Sequence, residues 1–199
     1  MMIGEKELPQ KANRVFKLTS APAVEIVTVD ELKTFARIDG SDEDTLLLAF
    51  ITSVREAIEA YTWRAMIEQS WRMSLDWWPS DVVELPRAPL ISLDSVKTID
   101  ADGTETTYSS DNYYVVTDAE PGRIVLKNGV ETPSNDDRYN SGFRINFTCG
   151  YGSTASYVPE TIQTAIKLWA TAVYETRAMT AEPPPDVKPM LRSYRMVWY

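Results

Sequence analysis

Histidine is absent from the 199 residues of this sequence, and cysteine occurs once, as Cys149. Without histidine the chain lacks the commonest general base and the commonest metal ligand. One cysteine cannot form an internal disulfide. Cys149 also lies on the apolar side of an alternating stretch and has no histidine to activate it, so a buried thiol is the better interpretation than a nucleophile. These absences argue against an interpretation as an enzyme, and we expect neither a cofactor nor a metal ion.

Long apolar runs and an excess of positive charge are also missing. No stretch approaches the roughly 20 apolar residues of a membrane span, and the N-terminus, MMIGEKELPQK, has no apolar segment typical of a signal peptide. We therefore expect a protein that is made in the cytosol and has no membrane partner. The net charge of −9 argues against a direct DNA binder, because phosphates are bound by lysine and arginine.

The acidic excess is unevenly distributed along the chain. Residues 66–152 carry fourteen acids and seven bases, whereas residues 186–199 carry three bases and one acid. The end of the chain therefore differs in charge from the part that precedes it.

Two long stretches have helical periodicity. Residues 41–66 begin with Ser41 as a candidate N-cap, and residues 159–178 begin with Pro159, which suits a first helical turn. A shorter helix is predicted after Thr28, where Glu31 completes a capping box. The apolar stripes of the two long stretches are Leu47, Ile51, Val54, Ile58, Tyr61 and Ala65, and Ile162, Ile166, Trp169 and Val173. We expect these two helices to pack against each other.

Between the two long helices the apolar period changes from 3.6 residues to two. Strands are predicted within 67–77, 82–85, 112–117, 123–126 and 143–149, and the segment SVKTIDADGTETTY reads as a hairpin that turns at Asp102-Gly103. The fold class predicted is α+β: a bundle of long helices, formed by the N- and C-terminal parts of the chain, with an inserted antiparallel β-rich subdomain and an extended C-terminal tail.

The predicted domain boundaries follow from these patterns. Residues 1–23 have no clear period and form an N-terminal arm, residues 24–66 and 157–181 form the helical core, and residues 67–156 form the β-rich subdomain. Residues 182–199 form a proline-rich spacer and a tail that carries many large apolar groups. Because such a tail is poorly suited to water, we expect it to dock, either on a partner or as a strap across its own domain.

The aromatic residues of the β-rich subdomain leave a second interpretation open. Aromatic rings could form a carbohydrate-binding platform, from Trp71, Trp77, Trp78, Tyr113 and Tyr114. Alternatively, a pair of carboxylates could make this part of the chain a hydrolytic module. At alternating positions of strands, however, such rings are more often part of a core.

The chain resembles the head-tail connector, or adaptor, proteins of tailed phages and of gene transfer agents. The resemblance is carried, in this order, by VTVDELKTFARIDGSDEDTLLLAFITSVREAIEAYT, by LPRAPLISLDSVKTIDADGTE, by INFTCGYG followed by VPETIQTAIKLWATAVYETR, and by LRSYR in the tail. Together these segments cover roughly residues 24–199.

The resemblance implies a structural virion protein without a catalytic site. Members of this family form a ring, usually of twelve subunits, between the portal protein of the DNA-filled head and the stopper or tail, and DNA passes through the channel without specific binding. It also implies assembly in the bacterial cytoplasm and a final location in the neck of the particle. The tail residues that would grip the portal are Leu191, Arg192, Tyr194, Arg195, Trp198 and Tyr199.

Overall fold

The structure is a computed structural model, and it describes residues 14–135, 138 and 140–196. The α-helices are α1 (Val29–Ala36), α2 (Asp44–Thr62), α3 (Glu160–Thr176) and α4 (Lys188–Leu191), and single 3₁₀ turns occupy Ser110–Asn112, Ala155–Tyr157 and Arg192–Tyr194. The strands are β1 (Arg14–Ser20), β2 (Gln69–Leu75), β3 (Val82–Leu85), β4 (Leu90–Ile99), β5 (Glu105–Thr107), β6 (Tyr113–Val116), β7 (Gly122–Leu126) and β8 (Phe143–Cys149).

Helix α1 begins at the capping box that the sequence predicts. The Thr28 hydroxyl accepts a hydrogen bond from the Glu31 backbone N–H at 3.2 Å, and the Glu31 carboxylate accepts one from the Thr28 backbone N–H at 2.8 Å. Both bonds satisfy N–H groups that have no partner within the helix.

Helix α2 is shorter than the predicted 41–66 at both ends. It begins at Asp44, and the residue before it, Glu43, makes no side-chain capping bond, so Ser41 is not the N-cap. It ends at Thr62 because Trp63 adopts a left-handed conformation, with φ 58°, from which the helix cannot continue.

Helices α2 and α3 run antiparallel and share one apolar core. The Tyr174 hydroxyl, near the end of α3, donates a hydrogen bond to the carboxylate of Glu43, just before α2, at 2.5 Å. The predicted stripes of both helices supply most of this helical core, and Leu32 of α1 completes one side of it. Buried side chains of the C-terminal segment, which are Val187 and Leu191, belong to the same core.

The larger sheet has five antiparallel strands in the order β1-β2-β8-β4-β5. Strand β8 occupies the bounds predicted from its alternation, and Phe143, Ile145, Phe147 and Cys149 all point to the buried side. The polar residues between them lie on the opposite, half-exposed face, as expected for an antiparallel sheet that covers a core with one side.

The smaller sheet has three antiparallel strands in the order β3-β7-β6. Its buried side, which includes Val83, Leu85 and Ile124, packs into a second apolar core together with the inner face of the five-stranded sheet. The chain therefore has one core among the helices and another between the sheets.

The predicted bundle of long helices is wrong, although the class α+β is right. Among the described residues only α2 and α3 exceed eight residues, and eight strands form two antiparallel sheets. A bundle needs apolar stripes on three or four long helices, and the described part of the chain has only two such helices, α2 and α3. The predicted N-terminal arm also contains a strand, β1, which extends the five-stranded sheet through β2; residues 1–13 of the arm lie outside the described residues.

Candidate docking surface at the C-terminal segment

The C-terminal segment from Val187 to Met196 lies against its own subunit. Val187, Leu191 and Met196 are all buried, and Leu191 has no exposed surface at all. Met190 and Tyr194 pack in part against the same helical core. The sequence left open whether the tail docks on a partner or packs across its own domain, and the described residues of the tail pack across their own domain.

Polar bonds to the end of α2 hold this segment in place. The Met196 backbone N–H donates to the carbonyl of Thr62 at 3.0 Å, and the Arg64 Nε donates to the carbonyl of Tyr194 at 2.5 Å. The other two nitrogens of Arg64 bond to the carboxylate of Glu120 at 2.8 and 2.5 Å, and these bonds lower the pKa of Glu120. One buried guanidinium thus joins the helical core, the tail and the turn between β6 and β7.

The outward side of the same segment is basic. Lys188, Arg192 and Arg195 are exposed and surround Tyr61, which lies near the end of α2. The Arg195 guanidinium lies 5.1 Å from the centre of the Tyr61 ring, and Lys188 forms an ion pair with Glu182 at 2.7 Å. With Pro185 and Pro189, these side chains line an open depression, which we call the C-terminal basic face.

The C-terminal basic face can bind carboxylates on a partner protein. Arg192 has no ion pair among the described residues, and Arg195 contacts an aromatic ring in place of a carboxylate. Arginine and tyrosine are both enriched at interface hot spots, and a guanidinium stacked on a ring can still donate its N–H groups to a planar acceptor.

The structure divides the predicted tail residues into three groups. Arg192 and Arg195 are exposed on the C-terminal basic face, while Leu191 is fully buried in its own subunit and Tyr194 is partly buried. Trp198 and Tyr199 lie outside the described residues. Leu191 in this position stabilises the segment and is not free to contact another molecule.

Sequence reasoning missed the residues of α2 and its end that hold this surface. Arg64 lies 130 positions before Tyr194, and Tyr61 was assigned only to an apolar stripe, so no local pattern connected either residue to the tail. Lys188 did carry a signal, because it contributes to the local excess of bases.

The half-buried Trp71 ring, on which the carbohydrate-binding interpretation depends, is covered on one side by Arg87. The Arg87 guanidinium lies 4.8 Å from its centre, and Arg87 is itself held by a hydrogen bond of 3.0 Å to the carbonyl of Glu59. Trp77 is half-buried, and the neighbouring Trp78 packs edge-on against Phe143, with 5.8 Å between the ring centres. No open row of stacking rings results for a sugar among the described residues.

The buried titratable groups of the described residues serve packing. The carboxylate of Glu59 accepts hydrogen bonds from the Met66 backbone N–H at 2.9 Å and from Arg55 at 3.1 Å, while burial raises its pKa. Burial likewise raises the pKa of the Cys149 thiol, which has no exposed surface. A thiol in that state is not a ready nucleophile. Within the described ranges, no three potential metal ligands come together, and no helix is long and apolar enough to cross a bilayer.

Comparisons with known proteins find similarity to head-tail connector proteins and to chains of gene transfer agent particles. Residues 26–119 match the family model of the phage gp6-like head-tail connector proteins. A chain from the neck of an empty gene transfer agent particle, computed with C6 symmetry, is similar in structure with a TM-score of 0.81 at 26% identity, over 93% of this chain and 97% of that one. No curated protein matches the sequence.

Two further solved structures agree. A chain of the virion of a native gene transfer agent particle has a TM-score of 0.79 at 26% identity, over 92% of this chain and 96% of that chain. A chain from the neck of a native particle, computed with C12 symmetry, has a TM-score of 0.73 at 27% identity, over 92% and 97% of the two chains. These findings confirm the resemblance read from the sequence: residues 26–119 match the phage gp6-like head-tail connector family, and more than nine tenths of the chain is similar in structure to chains of gene transfer agent particles.

Proposed function

We propose that this protein is the subunit of a ring in the neck of a phage-like particle, where it joins the portal protein of the head to the stopper or tail. The observation that carries the proposal is the similarity, over more than nine tenths of the chain, to chains from gene transfer agent necks. One of those necks was computed with C12 symmetry, which supports a ring of twelve copies. Its assembly in the bacterial cytoplasm is part of the same proposal.

The C-terminal basic face binds the portal in this proposal. It presents Arg192, Arg195 and Lys188 at the end of a chain that is otherwise strongly acidic, so it attracts an acidic surface that the rest of the subunit would repel. Trp198 and Tyr199 closely follow Met196 in the sequence and would add large apolar anchors to the contact.

DNA passes through the ring without specific binding. A ring of subunits that each carry a net charge of −9 has an acidic surface, and phosphates are not held where lysine and arginine are scarce. The work of the protein is therefore binding and positioning of its neighbours, and the proposal assigns it no chemical reaction.

Particle assembly tests the portal contact. We expect the double variant Arg192→Glu/Arg195→Glu, and separately a chain that ends after Met196, to fold but to leave heads without attached tails. Truncation after Pro185 is a poor test, because it also removes the buried Val187 and Leu191. Tail attachment is counted by electron microscopy of negatively stained particles.

A matched control changes the same amount of charge elsewhere. Arg37→Glu/Lys167→Glu alters bases on the helical side of the subunit, outside the C-terminal basic face. If the Arg192→Glu/Arg195→Glu particles carried tails as often as the control particles, the assignment of the portal contact to this face would be wrong.

A further inference from the structure

We infer that an apolar cavity between β1 and the end of α2 is a binding site for the Trp198 side chain of the same chain. Trp198 in this cavity holds the end of the tail on its own subunit before the subunit joins a particle. The site acts in the isolated protein, so it goes beyond the proposed portal contact, which is tested in particles.

The cavity, which we call the β1–α2 cavity, lies where the start of β1, the end of α2 and the segment between β3 and β4 meet. It has a volume of about 180 Å³ and is lined by Arg14, Phe16, Trp63 and Pro86. An apolar cavity of about 150 Å³ is large enough to hold a benzene ring. The β1–α2 cavity therefore has room for one aromatic side chain.

One wall of the cavity is held in place by the rest of the subunit. The Arg87 guanidinium lies 5.5 Å from the centre of the Trp63 ring, and Arg87 donates a hydrogen bond to the carbonyl of Glu59 at 3.0 Å. Trp63 is nevertheless 39% exposed. A wall that is positioned before binding loses little conformational freedom when a ring enters, which favours binding.

The described part of the tail ends next to this wall. The Met196 backbone N–H donates to the carbonyl of Thr62 at 3.0 Å, and Thr62 directly precedes Trp63. Met196 is the last described residue, and Val197 and Trp198 follow it in the sequence. Two extended residues span up to about 7 Å, and the tryptophan side chain adds its own length. Trp198 can therefore reach the cavity without any movement of the described tail.

The lining suits an aromatic ring. Phe16 is half-buried and Pro86 is buried, so both present apolar surface to the cavity. Arg14 is exposed at the same place and forms no ion pair among the described residues. A guanidinium beside the face of a tryptophan ring gains a cation–π attraction, so Arg14 favours tryptophan over an aliphatic side chain.

The residues that precede β1 also begin at this cavity, but they are poorer occupants. Residues 10–13, with the sequence QKAN, are polar or small, and the nearest large aliphatic side chain before Arg14 is Leu8, six positions away. Trp198 follows Met196 by only two positions. The tail therefore supplies a large ring at a shorter distance along the chain.

The site gives the end of the tail two alternative positions. In the isolated subunit Trp198 fills the β1–α2 cavity, and in the proposed neck it contacts the portal. One ring cannot occupy both places, so the portal must bind it more tightly than the cavity does. Before assembly, the cavity keeps a large apolar ring out of water, where it would otherwise favour association between free subunits.

A double-mutant cycle in the isolated protein tests the site. We expect Trp198→Ala to raise the equilibrium constant of unfolding about tenfold, because a ring that is buried in the folded chain is removed. In a chain that already carries Phe16→Ala, which removes one wall of the cavity, the same change should have an effect of no more than about threefold. Unfolding in urea is followed by far-UV circular dichroism, because the substitution itself alters tryptophan fluorescence.

Val15→Ala is the matched control for Phe16→Ala. Val15 is adjacent to Phe16 on β1 but points to the opposite face of the strand, where it is 53% exposed. We expect the tenfold effect of Trp198→Ala to persist in the Val15→Ala chain. Equal effects in the Phe16→Ala and Val15→Ala chains would overturn the site, as would an unchanged urea midpoint for Trp198→Ala alone.

A disulfide tests which chain supplies the ring. Arg14→Cys with Tyr199→Cys places thiols at the cavity and next to Trp198, and the native Cys149 is buried. Under mild oxidation we expect an internal disulfide, seen as faster migration on a non-reducing gel, whereas Val15→Cys with Tyr199→Cys should stay reduced. Disulfide-linked dimers in place of the internal bond would assign the ring to a second copy and overturn the site.

Two further outcomes distinguish the remaining possibilities. Removal of residues 1–11 is expected to leave the urea midpoint unchanged; if it lowered the midpoint while Trp198→Ala did not, the N-terminal residues would be the occupant and the site would be overturned. If Arg192→Glu/Arg195→Glu particles attached tails normally, the portal contact would be wrong, but a cycle with the expected result in the isolated protein would still support this site.

Discussion

Replacement of Leu191 by alanine tests whether the C-terminal segment lies on its own subunit in solution. The leucine side chain has no exposed surface and is part of the helical core. Shortening a fully buried leucine to alanine removes its transfer free energy and leaves a cavity, which together cost about 2–5 kcal/mol. If the tail were undocked in the isolated protein, the same substitution would hardly change the free energy of unfolding.

The assay is urea unfolding of the isolated protein, monitored by tryptophan fluorescence, with the midpoint and the slope compared between variants. Ser193→Ala is the matched control, because Ser193 is exposed two residues further along and should change the free energy of unfolding by less than about 0.5 kcal/mol. An unchanged slope with a lower midpoint for Leu191→Ala would indicate a true loss of stability. If Leu191→Ala unfolded at the same urea concentration as Ser193→Ala, the docked position of the tail would be wrong.

Three smaller perturbations test other parts of the structure, each by urea unfolding. The bonds from Arg64 lower the pKa of Glu120 below its ordinary 4.5, so their stabilisation is present above that pH and is lost as the pH falls through the folded-state pKa. The loss of unfolding free energy caused by Glu120→Gln should therefore become smaller between about pH 6 and about pH 3. A loss that stayed the same over this range would contradict the direction of the pKa shift. Gly150 and Gly129 both have positive φ, but a Cβ on Gly150 would lie 2.7 Å from backbone atoms, whereas one on Gly129 would meet open space. Gly150→Ala should therefore lower the free energy of unfolding by roughly 1–3 kcal/mol more than Gly129→Ala does. Loss of the α1 cap in Thr28→Ala should cost about 1 kcal/mol, and no change would mean that this cap is not formed in solution.

Elements with one buried side were the easiest to predict from the sequence. Strand β8 has its predicted bounds because strict alternation of apolar and polar residues leaves no other structure that buries every apolar group. Strand β1 was missed for the converse reason. Almost all of its residues are exposed on the edge of the sheet, so selection for burial left no period in them to read.

The ends of α2 show a second limit of local reasoning. Ser41 has the chemistry of an N-cap, yet the helix begins three residues later, and the apolar stripe continues to Ala65, although the helix stops at Thr62. The residues after Trp63 remain buried in an extended segment, in which the Ala65 backbone N–H donates to the Ala88 carbonyl. Burial alone does not distinguish a last helical turn from a buried strand-like connection.

The docking surface was predictable in part. The excess of bases and apolar groups near the C-terminus indicated that this segment binds something, and Arg192 and Arg195 do lie exposed on one face. The surface on which the segment rests depends on Arg64 and Tyr61, which are distant in sequence. No spacing rule connects residues that meet only after the helices have packed.

The sequence by itself determined the local features of this protein: the capping box, the two apolar helical stripes, the alternating strands and the separate charge of the C-terminal end. Those features depend on contacts between residues a few positions apart or on the need to bury one side of an element. Only the tertiary structure decided that the strands form two sheets with their own core, and that the tail covers the helices of its own subunit. Such arrangements depend on which distant segments pack together, and that choice is made by the free energy of the whole chain.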